Sequence, residues 1–236
     1  MKKEILIPRN QSEITIAEFE AMQELSKLDT NELDKVIKIV SLFTNLTQAE
    51  CARLKPHSLE VIADKINTAL TTPANFDLNS FSIENYRFFN DSENITLGEY
   101  VDAINVLKNE ESKISRFTAL FLRKSYKYTT DIEKRAQIAL KCPYLAFVQL
   151  SEWFSKLNEE IEEAFPNLYA APVSSSKTQG MRDALSEKWG WYIQLHKLAE
   201  HVTRIDEITE LNLWTALTWL SYEADVDAIK ASDLQQ

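Results

Sequence analysis

Leu33, Val36, Ile37, Val40 and Phe43 fall on one stripe of a 3.6-residue period, and Leu59, Ile62, Ile66 and Leu70 follow at steps of 3, 4 and 4. Both patterns predict amphipathic helices. Their starts are legible as Ser/Thr-x-x-Glu boxes at Thr15–Glu18, Thr47–Glu50, Thr96–Glu99 and Thr130–Glu133. In each box a hydroxyl and a carboxylate can satisfy two orphan backbone donors reciprocally. Asp29, Ser58 and Thr209 are expected as further caps. Residues 1–72 therefore read as four short helices behind a small extended N-terminal segment.

Residues 73–95 break the helical period. PANFDLNSFSIENYRFFNDSEN alternates aromatic and polar residues, which predicts one small hairpin with Phe76, Phe81, Tyr86 and Phe88 facing the body. Helices resume over 97–108, 112–124, 131–141 and 144–165. The last carries Val148, Leu150, Trp153, Phe154, Leu157, Ile161 and Phe165, a stripe broad enough to predict a central position. NLYAAPVSSSKTQG, residues 167–180, has the composition of a linker. Two helices near 181–202 and 210–230 complete the chain.

The predicted fold is a mainly α multi-helix bundle with one β-hairpin inserted near residues 75–95. Residues 1–166 form the body, and the helical pair at 181–236 packs on it or on a neighbouring subunit. Composition agrees, because three glycines in 236 residues are few for a β-rich or α/β chain.

A net charge of −10 disfavours generic binding to nucleic acid or anionic membranes. Cys51 and Cys142 stand in helical surroundings and read as buried free thiols of a reducing compartment. The apolar run in MKKEILIPRNQ is short for a signal peptide, and no stretch reaches the length of a membrane span. A soluble protein made in a cytoplasm is expected.

The stretch EKWGWYIQLHKLAEH contains His196 and His201, five residues apart. That spacing separates them by about 140° on a helix, whereas a zinc pair needs i, i+3 or i, i+4. Glu200 at i+4 from His196 reads as a hydrogen-bond partner, and His57 after Pro56 as a solvated turn residue. No Gly-rich phosphate loop and no G-x-S-x-G elbow occurs. The acidic run Glu159–Glu163 lies mostly opposite the apolar stripe of its helix and reads as a solvated or docking face. No enzymatic chemistry, metal or cofactor is expected.

Charge and tryptophan are unevenly spread. Lys108–Lys141 holds nine bases against four acids, densest in RFTALFLRKSYKY, while residues 181–236 hold ten acids against five bases. Head-to-tail pairing of these regions between copies is electrostatically favourable. Bases interleaved with Tyr126 and Tyr128 also fit single-stranded nucleic acid, a reading the overall charge opposes. Four of five tryptophans lie in the last fifty residues, on helices apolar on more than one side. Aromatic anchors of that kind are favoured at interfaces. The candidate partner-contact residues are Trp189, Trp191, Trp214, Trp219, Arg116, Arg123, Lys124 and Lys127.

Several blocks carry a resemblance: ITIAEFEAMQEL, VIKIVSLFTNLTQAECARLKPHSLEVIADKIN, ITLGEYVDAINVL, SRFTALFLRKSYKY and KWGWYIQLHKLAEHVTRIDEITELNLWTALTWLSYEADVD. In this order they resemble virion and tail-assembly proteins of tailed bacteriophages of Bacteroidetes hosts, crAss-like phages included. The chain reads LRKS and EHVT where such proteins often carry Arg-Pro and Gly-rich turns. The resemblance implies a non-enzymatic virion protein made in the bacterial host cytoplasm, a component of the tail or neck near the portal. Its implied partners are copies of itself in a cyclic homo-oligomer, a dodecameric ring, and other tail, neck or portal proteins. DNA would meet it only in passing through a channel, and a membrane not at all. The alternative it implies is a tail assembly chaperone absent from the mature virion.

Overall fold

The structure, a computed structural model, describes residues 4–108, 113–125, 131–169, 190–199 and 204–233. In chain order its elements are α1 (Ile16–Lys27), α2 (Glu32–Phe43), α3 (Gln48–Cys51), α4 (Pro56–Thr71), β1 (Ser82–Ile83), β2 (Tyr86–Phe88), α5 (Leu97–Lys108), α6 (Lys113–Phe121), β3 (Leu122–Arg123), α7 (Ile132–Ala139), α8 (Tyr144–Ala164), α9 (Pro166–Tyr169), α10 (Trp191–Ala199), α11 (Ile205–Thr209) and α12 (Leu213–Asp233). The fold is mainly α with a small antiparallel sheet.

Two compact units result, one of residues 1–89 and 109–152, the other of 90–108 and 153–236. Residues 166–169 are helical within the second unit, and 170–180 lie outside the described residues.

In the first unit, Val40, Phe43, Leu46, Leu59, Ile62, Ile66 and Cys51 form one core with Ile14. Leu33, on the same sequence stripe, is half exposed because α2 begins only one residue earlier. The boxes at Thr15 and Thr47 form in both directions. The lesser caps move: Asn31 rather than Asp29 caps α2. Pro56 occupies the first turn of α4, where its missing N–H costs nothing, so Ser58 lies inside the helix. His57 accordingly sits in that helical turn, exposed, and not in a loop.

The hairpin is present, but as part of a three-stranded sheet ordered β1-β2-β3. Glu84 and Asn85 turn it with φ of 50° and 66°, the two positive values a type I′ turn demands. Tyr86 and Phe88 are buried, while Phe76 and Phe81 pack beside them half-buried. β3 corrects the helix expected over 112–124, which stops at Phe121 so that Leu122 and Arg123 can pair with Phe88 and Arg87.

The short helix α6 is held at both ends from elsewhere in this unit. Glu20 of α1 accepts the Ser115 N–H at 2.8 Å, placing a carboxylate at the helix N-terminus. Arg135 of α7, 2% exposed, donates from Nη1 to the Leu120 carbonyl at the other end. Phe117, Leu120 and Phe121 are fully buried.

In the second unit, α8 continues with Phe154, Leu157 and Ile161 buried. The third box also forms: Thr96 N–H meets Glu99 Oε2 at 2.8 Å and Glu99 N–H meets Thr96 Oγ1 at 3.3 Å. The fourth, at Thr130, lies outside the described residues. Thr209 ends α11 instead of capping the last helix, a role taken by Asn212.

Candidate functional site

Two of the candidate residues, Trp214 and Trp219, lie on α12. Asn212 Oδ1 accepts the N–H groups of Trp214 and Thr215 at 3.0 and 3.3 Å, which fixes where the helix starts. An antiparallel bridge pairs Asn212 with Thr96, with Leu213 N–H on the Ile95 carbonyl and Leu97 N–H on the Leu211 carbonyl, each 2.9 Å. The starts of α5 and α12 are therefore locked together.

From that start the helical period sorts the side chains. Leu213, Ala216, Leu217 and Leu220 form the inner face and are buried. Trp214 lies to one side, half-buried; its indole Nε1–H donates to the Ser92 carbonyl at 2.8 Å and its ring lies 6.1 Å from Phe165. Beyond it, Asn167 of α9 donates to the Ser221 carbonyl and to Asp225 Oδ1, at 3.0 and 2.8 Å. On the opposite flank Lys197 of α10 bonds Asp227 at 2.8 Å, and this hydrogen-bonded ammonium holds the Asp227 carboxyl below its ordinary range. Trp191 of α10 sets its ring edge-on to Tyr100, 5.5 Å away.

The remaining face points to solvent and is apolar. Trp219 is 55% exposed, Tyr222 57% and Ile229 62%, with Val226 half-buried between them. The rings of Trp219 and Tyr222 meet edge to face at 5.9 Å. Spacings of 3, 4 and 3 put these four residues on one line along the helix. α12 is thus apolar on two opposite sides, and the described residues of its own unit cover one of them.

The basic segment is differently placed from what its charge count suggests. Arg116 pairs with Glu133. Arg123, expected at a partner surface, is 7% exposed, with its guanidinium 5.2 Å above the Phe89 ring. Lys141 bonds Glu84 at 2.6 Å. Lys124 is exposed and sits 4.9 Å over the Tyr86 ring. Phe117 and Phe121 of this stretch are interior, so neither ring is offered for base stacking. Lys127, Tyr126, Tyr128 and Trp189 lie outside the described residues.

Other chemistry is sparse. A groove of about 750 Å³ runs between residues 4–9 and the end of α2. Of its ionisable groups besides Glu4, Arg9 and Glu13 pair with each other and Glu18 is engaged in the Thr15 capping box. Cys51 and Cys142 are both buried, and burial pushes the Cys142 thiol up to about 12. His196 is exposed; Glu200 and His201 lie outside the described residues. Among the described residues no group of three or more His, Cys, Asp or Glu is disposed to hold a metal ion, and no helix is long and apolar enough to cross a membrane.

Of the sequence candidates, Trp219 alone is both described and largely uncovered among the tryptophans; Trp191 and Trp214 serve the second unit's own packing. Tyr222 and Ile229 were not singled out from the sequence, although their spacing from Trp219 was there to see. No family model, curated protein or solved structure matches the chain.

Proposed function

We propose that this chain is a non-enzymatic assembly protein, a ring-forming component of a phage tail or neck near the portal, working through protein–protein contacts. The observation that carries the reading is the uncovered face of α12. A Trp, a Tyr and an Ile in line, each more than half exposed, are what an interface core requires and what an isolated surface avoids. Two further features support it: the resemblance of the ordered sequence blocks to those of tailed-phage virion proteins, and the acidic C-terminal region that contains α12. The specific form these imply is a closed cyclic homo-oligomer, a dodecameric ring, flanked by other tail, neck or portal proteins.

Native mass spectrometry and negative-stain images of the purified protein test assembly, and proteomics of purified virions tests location. The reading expects a closed multi-copy particle and recovery from virions. Presence in infected cells with absence from virions would replace it with the tail assembly chaperone.

A further inference from the structure

We propose that two copies of this chain pair through the outer face of α12, with the two helices parallel and in register. The inference goes beyond the ring reading and rests on α12 alone: a two-fold pair closes at two copies, so a ring containing it is a ring of pairs joined through another surface. Thr215, Trp219, Tyr222, Val226 and Ile229 follow one another at 4, 3, 4 and 3 residues, the a/d seam of a coiled coil, with Trp219 and Val226 at a and Tyr222 and Ile229 at d. A surface helix that only had to pack inward would carry polar residues there.

Charge selects the orientation. Position e of this seam holds Glu223 and Lys230, and position g holds Thr218 and Asp225. In a parallel pair, g of one helix faces the following e of the other. Asp225 of each copy then meets Lys230 of the second copy, twice by symmetry, while all four apolar layers meet their own counterparts. Asp225 has one oxygen, Oδ1, on Asn167 and keeps Oδ2 for this contact. Lys230 is exposed and makes no hydrogen-bonded salt bridge among the described residues; the intrachain acid its charge acts on is Asp227 one turn before it, which Lys197 already binds.

The antiparallel alternatives fail one test or the other. The register that buries Trp219 against Ile229 brings Glu223 against Glu223. The register that joins Glu223 to Lys230 carries Trp219 past the end of the helix. Asp227, the other acid nearby, is already bound to Lys197. The seam from 215 to 229 is about 21 Å long, a small contact, so the pair forms with a dissociation constant on the order of micromolar.

Sedimentation equilibrium of the whole chain between 0.1 and 100 µM (about three decades around that value) reads the pairing. Lys230→Asp is expected to weaken it roughly tenfold, and the double variant Asp225→Lys, Lys230→Asp to restore it. Ile229→Cys should form an intermolecular disulfide under mild oxidation, since the native cysteines are buried. Circular dichroism confirms that these surface variants fold. A wild type monomeric throughout overturns the inference. So does restoration of Lys230→Asp by Glu223→Lys in place of Asp225→Lys, which is the antiparallel signature. An assembly abolished by Trp219→Ala, yet indifferent to Lys230→Asp and giving no Ile229→Cys cross-link, leaves the ring reading standing and removes this one.

Discussion

Trp214 donates its indole N–H to the Ser92 carbonyl oxygen, 2.8 Å away, and so belongs to the interior of its unit. Trp219, five residues on, presents its ring to solvent against the edge of Tyr222. Five residues, about 140° around the helix axis, separate a structural tryptophan from one that is left for a partner.

The two should therefore fail in different assays. Trp214→Phe keeps most of the apolar surface but leaves the Ser92 carbonyl without its donor, a loss of about 1–2 kcal/mol of stability. Association is unchanged by it. Trp219→Ala leaves the thermal midpoint nearly constant and weakens association by about 2 kcal/mol or more, as expected for a central aromatic anchor. Thermal melts alongside native mass separate the two; equal effects of both variants on stability would contradict the assignment.

Arg135 is a second case of a charge with an interior task. It is 2% exposed and donates to the carbonyls of Leu120 and Asp131 at 3.2 and 3.3 Å. Arg135→Met retains the aliphatic bulk and strips the donor from the buried Leu120 carbonyl, so the first unit should lose about 1–3 kcal/mol. Urea denaturation measures it. An unchanged midpoint would mean that the α6 terminus finds another donor at little cost.

How far the sequence discloses this arrangement follows from the reach of each signal. The boxes at Thr15, Thr47 and Thr96 span three residues, and each formed where it was read. Asp29, Ser58 and Thr209 lost to neighbours two or three residues away, because Asn31, Pro56 and Asn212 compete locally on equal terms. β3 was hidden: Leu122 and Arg123 continue the apolar run of α6, and their strand partners lie some thirty-five residues earlier. The surplus of bases in 108–141 reads in the sequence as free charge. Glu133, Glu84 and the Phe89 ring engage Arg116, Lys141 and Arg123, and the Glu84 and Phe89 partners lie outside the stretch that was counted. The tryptophans could not be sorted either, since a wheel places both Trp214 and Trp219 beside the inner stripe. Ser92 and Phe165, distant in sequence, decide between them.

Gly98, one residue into α5, is held by close approach. A Cβ there would stand 3.0 Å from both the Cβ and the carbonyl oxygen of Thr209. Ala is the better helix former by about 1 kcal/mol, but the carbonyl is backbone and cannot swing aside. Gly98→Ala should therefore destabilise by about 1–2 kcal/mol net, pushing α11 away from α5. A rise in thermal midpoint would show that the contact yields more easily than its geometry suggests.

Cys142 sets an alkaline limit on the first unit. Its thiol is fully buried, bonds only weakly to the Ile138 carbonyl at 3.9 Å, and burial raises it from 9.0 to about 12. The folded state thus holds a proton that the unfolded state releases. For a group raised in the fold, the stability it contributes is complete below pH 9 and is lost as pH climbs toward 12. The loss amounts to about 1.4 kcal/mol for each pH unit in that window. Cys142→Ala removes this ionisation at some cost in packing, so its stability should start lower at pH 8 and fall less steeply toward pH 10.5. Tyr144, also raised by burial, contributes a residual slope in both proteins. Urea midpoints at the two pH values, in wild type and variant, give the comparison; parallel declines would place the alkaline sensitivity elsewhere in the fold.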